Sequence, residues 1–422
     1  QGELPSVRNQ GQWGTCWAHA VISSVETNMI KKGLIRAEDV DYSERHLAYF
    51  AHRRNETDGD GEDDYTEKYG WYGGGNAYQA KGMLANWYGA ASEQDYPYAS
   101  YSTMEDLTES DRKVSVCHLT DASRLSTPED VKLAVMNTGA VMCSFYTGDG
   151  TISTAQGKVY HAEYHKTDHA VSIVGWQDDY ARTNFDDNGK KPEHDGAWLC
   201  RNSWGSTWAE EGYFWISYED ATLTEFWSFE AERADDYDNI YSHDGAAVSL
   251  ATSVSKSANI FCTQGVEELK AVSFQTYSNY DYQIDIYAAR ESAMETPADG
   301  LLVYSQEGSL KYPGYHVIPL EKGVTLDDGM KYAVSVSLTS KDGTTVYTYV
   351  EKGSTYSAEA GQSFFYGTSG WQDTTADDYK NVTIKAFTDN VERVDKSELL
   401  SVIEEAEQTA LSRQYPAFIV LL

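Results

Sequence analysis

Three residues of this chain carry the functional groups of thiol-based covalent catalysis, each in a setting that suits the task. Cys16 follows a Gly-Thr turn signal and opens the run Trp17-Ala18-His19-Ala20-Val21-Ile22, with apolar residues at helical spacing. A thiol in the first turn of a helix meets the positive end of the macrodipole and unpaired backbone N–H groups, and both favour the nucleophilic thiolate. His169 heads the apolar, β-branched run Ala170-Val171-Ser172-Ile173-Val174, which reads as a buried strand. Asn202 closes another such run, Ala197-Trp198-Leu199-Cys200. An imidazole beside a thiol can bring its pKa down to about 3 to 4. An Asn carbonyl can fix the ring's tautomer, as the third member of a triad does.

Four blocks, Asn9-Gln10-Gly11, Gly14-Thr15-Cys16-Trp17-Ala18, Asp168-His169-Ala170 and Asn202-Ser203-Trp204-Gly205, resemble in order the motif blocks of the papain-like cysteine peptidases. The resemblance spans roughly Leu4 to Tyr218, and papain itself is the reference case for the lowered thiol pKa. It implies Cys16 as nucleophile, His169 as base and then acid, Asn202 as the orienting residue and Gln10 as oxyanion-hole donor beside the Cys16 backbone N–H. Losing such a donor typically costs about 3 to 4 kcal/mol. It also implies that Trp204 covers the Asn202–His169 contact from water. Substrate binding falls, by the same resemblance, to Gly74, Gly75, Asn76, Ala77, Thr167, Asp168 and Trp204, with Ala140 a weaker candidate. Gly75 would pair antiparallel with a substrate backbone, since glycine exposes its main chain most fully. Asn76 and Ala77 stand where the family places a pocket wall, so a wider, more polar pocket is expected.

The family usually bridges two cysteines where this chain has Trp13 and Tyr72, so an aromatic contact is expected instead, worth about 0.5 to 1.5 kcal/mol beyond area burial. The five cysteines, Cys16, Cys117, Cys143, Cys200 and Cys262, show no metal-binding spacing, and no disulfide is expected. Cys143 and Cys200 lie in apolar strand-like runs and read as small core residues. His19, one turn beyond Cys16, reads as structural, because helical side chains lean toward the N-terminus.

The elements that must position these groups follow from local signals. A helix from Val21 to Lys32 ends at Gly33; Ser43 caps a second; Lys81 to Tyr88 forms a third, before the loop at Tyr96-Pro97-Tyr98; Pro128 to Met136 forms a fourth. The acidic run from Glu56 to Asp64 lacks the full spacing of a calcium loop and reads as solvated surface, and Asp186-Asp187-Asn188-Gly189 reads as a turn. After about Glu232 the chain becomes short β-branched and aromatic segments with period-two alternation: Leu269 to Tyr277, Tyr282 to Ala288, Gly300 to Tyr304, Tyr315 to Leu320, Met330 to Leu338, Thr345 to Tyr349 and Val382 to Phe387. That pattern suggests an antiparallel sandwich. With Tyr237-Asp238-Asn239-Ile240-Tyr241, it resembles the lectin-like domain of some bacterial secreted cysteine peptidases. Asp395 to Ala406 reads as an amphipathic helix.

The expected architecture is therefore an α+β papain-like fold over residues 1–232, with Cys16 on a helical subdomain, His169 on a β-rich subdomain and the cleft between them. An all-β antiparallel sandwich follows over 233–389, then a short C-terminal helix and tail over 390–422. A chain of 422 residues suits two or three domains. The net charge of −33 argues against nucleic acid or an anionic membrane as partner and suits an extracellular setting. No apolar run reaches the ~20 residues of a membrane span, and the chain reads as a mature or trimmed form, secreted or at a bacterial cell surface. No metal or cofactor is called for; the expected partners are protein or peptide substrates, with carbohydrate or cell wall a candidate for the sandwich, and the oligomeric state stays open. The functional expectation is a cysteine endopeptidase that forms a thioester acyl-enzyme on Cys16. The alternative is a catalytically silent adhesin or scaffold, which has no need of the full set Gln10, Cys16, His169 and Asn202. A transglutaminase-like enzyme would not need the Asn202 or Gly75 blocks.

Overall fold

The computed structural model describes residues 4–52, 70–102, 104, 107–148, 157–187, 189–245, 249–289, 294–351, 358–377 and 381–391. The acidic run at Glu56 to Asp64 and the helix expected at Asp395 to Ala406 lie outside the described residues.

The first half supplies helices α1 (Cys16–Lys31), α2 (Glu44–His52), α3 (Ala77–Ala85), α4 (Glu109–Arg112) and α5 (Pro128–Asn137). Its strands are β1 (Cys117–Arg124), β2 (Val141–Phe145), β3 (Lys158–Val159), β4 (His169–Gln177), β5 (Ala197–Arg201), β6 (Tyr213–Ser217) and β7 (Thr224–Arg233). Ser43 accepts from the His46 N–H at 3.1 Å, as expected of a cap, and Gly33 follows α1 with φ of +71°. The third helix starts four residues earlier than the sequence pattern suggests. Asn76 Oδ1 accepts from the N–H groups of Tyr78 and Gln79 at 3.0 and 3.1 Å, which satisfies the first turn and sets the boundary at Ala77.

Among the described residues the second half supplies strands and short 3-10 turns: β8 (Asn239–Tyr241), β9 (Ser249–Thr252), β10 (Lys256–Cys262), β11 (Glu267–Thr276), β12 (Tyr280–Ala289), β13 (Leu301–Ser309), β14 (Gly314–Leu326), β15 (Lys331–Ser340), β16 (Thr348–Glu351), β17 (Ser363–Gly367), β18 (Gly370–Asp373) and β19 (Lys385–Asn390). A six-stranded sheet, ordered β13-β12-β15-β10-β17-β18, faces β14, β11, β19 and β8 across a core that includes Phe261, Leu269, Phe274, Tyr332, Val334 and Phe365.

The sandwich is not a separate bead. Its second layer continues into the first half as one sheet, ordered β3-β6-β5-β4-β2-β7-β1-β14-β11-β19-β8. The seam is the antiparallel pair β1–β14, with Asp121 opposite His316, Ala122 opposite Tyr315 and Ser123 opposite Gly314. Gly314 has φ of +153°, and a Cβ there would lie 1.9 Å from the Ala122 carbonyl oxygen, so only glycine allows this approach. Next to it Tyr315 is buried in the core of the first half, with Trp17, Val21 and Trp227.

A buried lysine reinforces the seam. Lys81 of α3 is 4 % exposed; its Nζ donates to Gln275 Oε1 of β11 at 2.5 Å and lies 5.5 Å from the ring centroids of Tyr78 and Tyr349. Burial, opposed by Asp244 and assisted by Lys385, brings its pKa down to about 7. Between that value and the ordinary 10.5 the unfolded chain binds a proton that the native state does not, so Lys81 makes stability rise with pH across this window. Lys81→Met is expected to flatten that rise. Urea midpoints of both proteins at pH 7, 8 and 9 check it, and an unchanged slope in the variant would refute it.

Candidate active site

Cys16 is the first residue of α1, and α1 is fixed in the protein by polar side chains as much as by apolar ones. Val21, Ile22 and Val25 fill the core, while Ser24, Thr27 and Asn28 face backbone. Ser24 Oγ donates to the Ala140 carbonyl at 2.6 Å and accepts from the Phe229 N–H at 3.1 Å. Asn28 Nδ2 donates to the Thr138 carbonyl, and its Oδ1 accepts from the Ala231 N–H. These bonds tie the helix to β7 and to the turn before β2, which fixes where its N-terminus points.

His169 and Asn202 are brought together by strand register. β4 and β5 pair with Ser172 opposite Arg201, so the head of β4 and the end of β5 emerge side by side. His169 Nε2–H donates to Asn202 Oδ1 at 2.8 Å, which turns Nδ1 toward the thiol, with which the ring is also hydrogen-bonded. Trp204 stacks on the imidazole with centroids 4.8 Å apart and is braced edge-on by Trp208. Asn202 is 3 % exposed, so its bond to the ring is made out of water, where it is strongest.

The electrostatics follow. Burial alone would raise the Cys16 pKa; the His169 charge, the His169 hydrogen bond and the N–H groups of Ala170 and Trp17 more than offset this and hold it below its ordinary value. For His169 burial pulls down, while Cys16, with the bond to Asn202, holds the ring's pKa above its ordinary value. Both shifts favour the charged forms, thiolate on Cys16 and imidazolium on His169.

Gln10 reaches the site through a backbone clamp. Its N–H donates to the Ser203 carbonyl at 2.8 Å, and Asn9 bridges Trp204. Ser203 Oγ–H donates to Gln10 Oε1 at 2.6 Å, and Gln10 Nε2 gives one N–H to the Trp13 carbonyl at 2.7 Å. The amide has a second N–H to offer. Ser203 thus orients Gln10 while its own N–H bonds Asn202 Oδ1 at 2.8 Å. Two residues before Gln10, Arg8 anchors the segment by ion pairs to Glu26 of α1 (2.5 Å), Glu44 of α2 (2.6 Å) and Asp41 (2.6 Å). The carboxylates of Glu44, Glu26 and Asp41 hold the guanidinium charged against its burial.

Trp13 and Tyr72 do touch, with ring centroids 5.2 Å apart. Trp13 Nε1–H also donates to the Ala99 carbonyl at 2.7 Å. The five cysteines are all free, and Cys143 and Cys200 are buried. His19 is structural: its Nδ1 meets the Thr15 carbonyl at 3.0 Å, its ring lies edge-on to Tyr98, and burial lowers its pKa.

The expected substrate-binding residues divide. Gly74 and Gly75 lie at the surface, Gly74 with φ of +70° and open space around it. A Cβ on Gly75 would lie 2.2 Å from Trp17 Cε2, so that glycine is also demanded by packing. Asn76 is exposed, but its side-chain oxygen is committed to capping α3. Ala77 is a correction: it is 0 % exposed in the core, because the α3 start turns it inward, and it can form no pocket wall. Ala140 is likewise buried. Thr167 is half-buried, and Asp168 accepts from the N–H and Oγ1 of Thr147 at 2.8 and 2.9 Å, bonds that brace the turn into His169. Ser203 stood inside a motif block and Arg8 beside one, neither with a role assigned, and Thr147 had no signal in the sequence.

Comparison with known proteins adds to this geometry. The profile of a family described as papain family cysteine protease matches residues 1–228, and one described as lectin like domain matches residues 240–388. A cathepsin L-like protein of Caenorhabditis elegans is 28 % identical over 223 residues, 51 % of this chain and 56 % of that protein. Cathepsin L of Sarcophaga peregrina is 26 % identical over 228 residues, covering 50 % and 55 %. The chain thus spans about half the length of these curated relatives. Among solved structures, the cysteine protease and lectin-like domains of Cwp84, a surface layer associated protein of Clostridium difficile, are similar over both halves. The identity is 26 %, the TM-score 0.75, and the match covers 92 % of this chain and 87 % of that one. The same clostridial protease after propeptide cleavage matches with equal identity and TM-score, covering 92 % and 98 %.

Two outcomes are expected. Trp13→Ala should lower stability by about 3 to 5 kcal/mol, the usual cost of truncating a buried Trp, read from denaturant midpoints; an unaltered midpoint would show that the ring contact is no substitute for a crosslink. Because the Cys16 pKa is lowered, its thiolate persists to lower pH than that of an ordinary thiol. Alkylation of Cys16 by iodoacetamide should stay fast at about pH 6, where an ordinary thiol of pKa ~8.5 is almost wholly protonated. Peptide mapping of the adduct checks this, and a rate rising only toward pH 8 would count against the pair.

Proposed function

Because this chain belongs to the papain family of cysteine proteases, we propose that it is an endopeptidase, cutting peptide bonds through a thioester acyl-enzyme on Cys16. The observation that carries the reading is the single hydrogen-bonded line Cys16–His169–Asn202 under Trp204. Cys16 Sγ attacks the scissile carbonyl carbon, and the resulting oxyanion is met by the second Gln10 N–H and the Cys16 backbone N–H. His169 then gives its proton to the leaving amine as the C–N bond breaks. In the second half-reaction neutral His169 takes a proton from water, the hydroxide oxygen adds to the thioester, and the thiolate leaves and regains its imidazolium partner. Asn202 keeps the ring turned toward sulfur throughout, which makes it a positioning residue. Gly74 and Gly75 offer the backbone edge for the substrate, with Thr167 across the cleft.

The domain division we propose is a peptidase domain over 1–232, a lectin-like sandwich over 233–389 and a C-terminal segment over 390–422, supported by the absence of α-helix among the described residues after β7. A location at a bacterial cell surface is supported by the surface-layer association of Cwp84. Among the described residues no helix is long and apolar enough to cross a membrane. The sandwich is proposed to hold carbohydrate or cell-wall material near the protease, a role supported by the lectin-like family match.

The test is cleavage of a peptide library together with mapping of an epoxysuccinyl inhibitor. Labelling at Cys16 and internal cleavage are expected, Cys16→Ser should abolish both, and Gln10→Ala should lower kcat by roughly 100- to 1,000-fold. A wild-type protein that neither labels nor cuts would be the silent scaffold instead.

A further inference from the structure

The outer face of the six-stranded sheet carries a groove that the catalytic reading does not use. Alternation along the strands separates its two faces. Phe261, Val334 and Phe365 point into the sandwich core, whereas their neighbours Ile260, Ala333 and Phe364 form a separate small cluster with Ala289 and Met294. Lys256 shares the parity of Ile260, and Tyr366 that of Phe364, so both project on this outer side. Trp371 is the cross-strand partner of Tyr366 in the β17–β18 hairpin and packs on the outer cluster. The groove these residues line with Tyr287, Thr296 and Ser369 has a volume of about 510 Å³, within the roughly 300 to 1,000 Å³ of small-ligand sites.

Its chemistry is specific. The Tyr366 and Trp371 rings meet edge to face, 5.1 Å between centroids, and Tyr366 is 50 % exposed. The Lys256 ammonium lies 5.3 and 5.5 Å from these two rings and 3.9 Å from Asp285. Two adjacent aromatic rings beside a cation, at the edge of a groove, suit a ligand that has both an apolar face and polar groups. A pyranose ring presents an apolar C–H face that stacks on such rings and a rim of hydroxyls that needs donors and acceptors. The ammonium of Lys256 and the hydroxyls of Tyr287, Tyr366 and Ser369 supply that rim.

We propose that this groove is a carbohydrate-binding site, with Trp371 and Tyr366 as the stacking platform for a pyranose and Lys256 as the anchor for its oxygens. The inference rests on the lectin-like reading of the second half and gives it a location. The groove lies on the sheet that is not shared with the catalytic half, so a glycan held there leaves the cleft open to a protein substrate.

The full chain is to be screened on an array of neutral and uronic-acid oligosaccharides, with the bound ones then titrated by calorimetry. Trp371→Ala and Tyr366→Ala are each expected to weaken binding roughly tenfold, with peptide cleavage within twofold of wild type. Lys256→Met should weaken binding further for uronic-acid glycans than for neutral ones. Tyr366→Ser, at a half-exposed position, serves if Trp371→Ala does not fold. If glycans bind but the Trp371 and Tyr366 variants bind them equally well, the groove is the wrong place and the lectin-like reading survives. If no glycan binds, both fall. A proline-rich peptide, the other ligand suited to an aromatic groove, binding in a Trp371-dependent way would overturn the glycan assignment alone.

Discussion

Stabilising a negative sulfur in a partly dry cleft is the constraint to which this structure answers. Burial disfavours the Cys16 thiolate, and the pKa is nonetheless lowered because an imidazolium stands against it and N–H groups of Trp17 and Ala170 point at it. Each partner charge needs the other: His169 is buried beside the partly exposed Cys16, and its pKa is raised mainly through Cys16. Such a pair holds only if its geometry is fixed. Asn202 and Trp204 fix the ring, the α1 N-terminus fixes the sulfur, and the segment carrying Gln10 closes over both.

That closure explains why so much buried polarity lies behind the site. Arg8 is gripped by three carboxylates from separate parts of the first half, two of them almost wholly buried. Removing one member of such a cluster leaves a buried charge unmatched, at about 3 to 5 kcal/mol, so the arrangement resists sliding of the N-terminal segment relative to α1 and α2. Ser203 carries this rigidity into the site by holding Gln10 with its hydroxyl and Asn202 with its N–H. Gln10 and Asn202 therefore share one support.

The second half is built into the same framework. One sheet runs from the strands that carry His169 and Asn202, through β1, into the sandwich. Tyr315 enters the core beneath α1, and Lys81 joins α3, whose first turn borders Gly74 and Gly75, to β11. The lectin-like layer thus buttresses α1 and α3, while its other sheet is not shared with the first half.

The chemistry was legible in the sequence because it depends on residue types in short motifs. Gln10, Cys16, His169 and Asn202 each stand in a local pattern, and the alternation beyond residue 232 announced the sandwich. Helix caps and turns were legible for the same reason, since Ser43 and Gly33 act within a few residues. Boundaries set by side-chain capping were not: Asn76 was read as pocket wall and proved to be the cap that buries Ala77. Strands without clear alternation, such as Lys256–Cys262 and Ser363–Gly367, were missed, because their identity comes from pairing with distant partners. The Arg8 cluster, the Ser203 support, the Lys81–Gln275 link and the joining of β1 to β14 were decided only by the tertiary structure. These are contacts between residues tens to hundreds of positions apart, and a linear pattern holds no record of which buried charge, hydroxyl or sheet edge will find which partner.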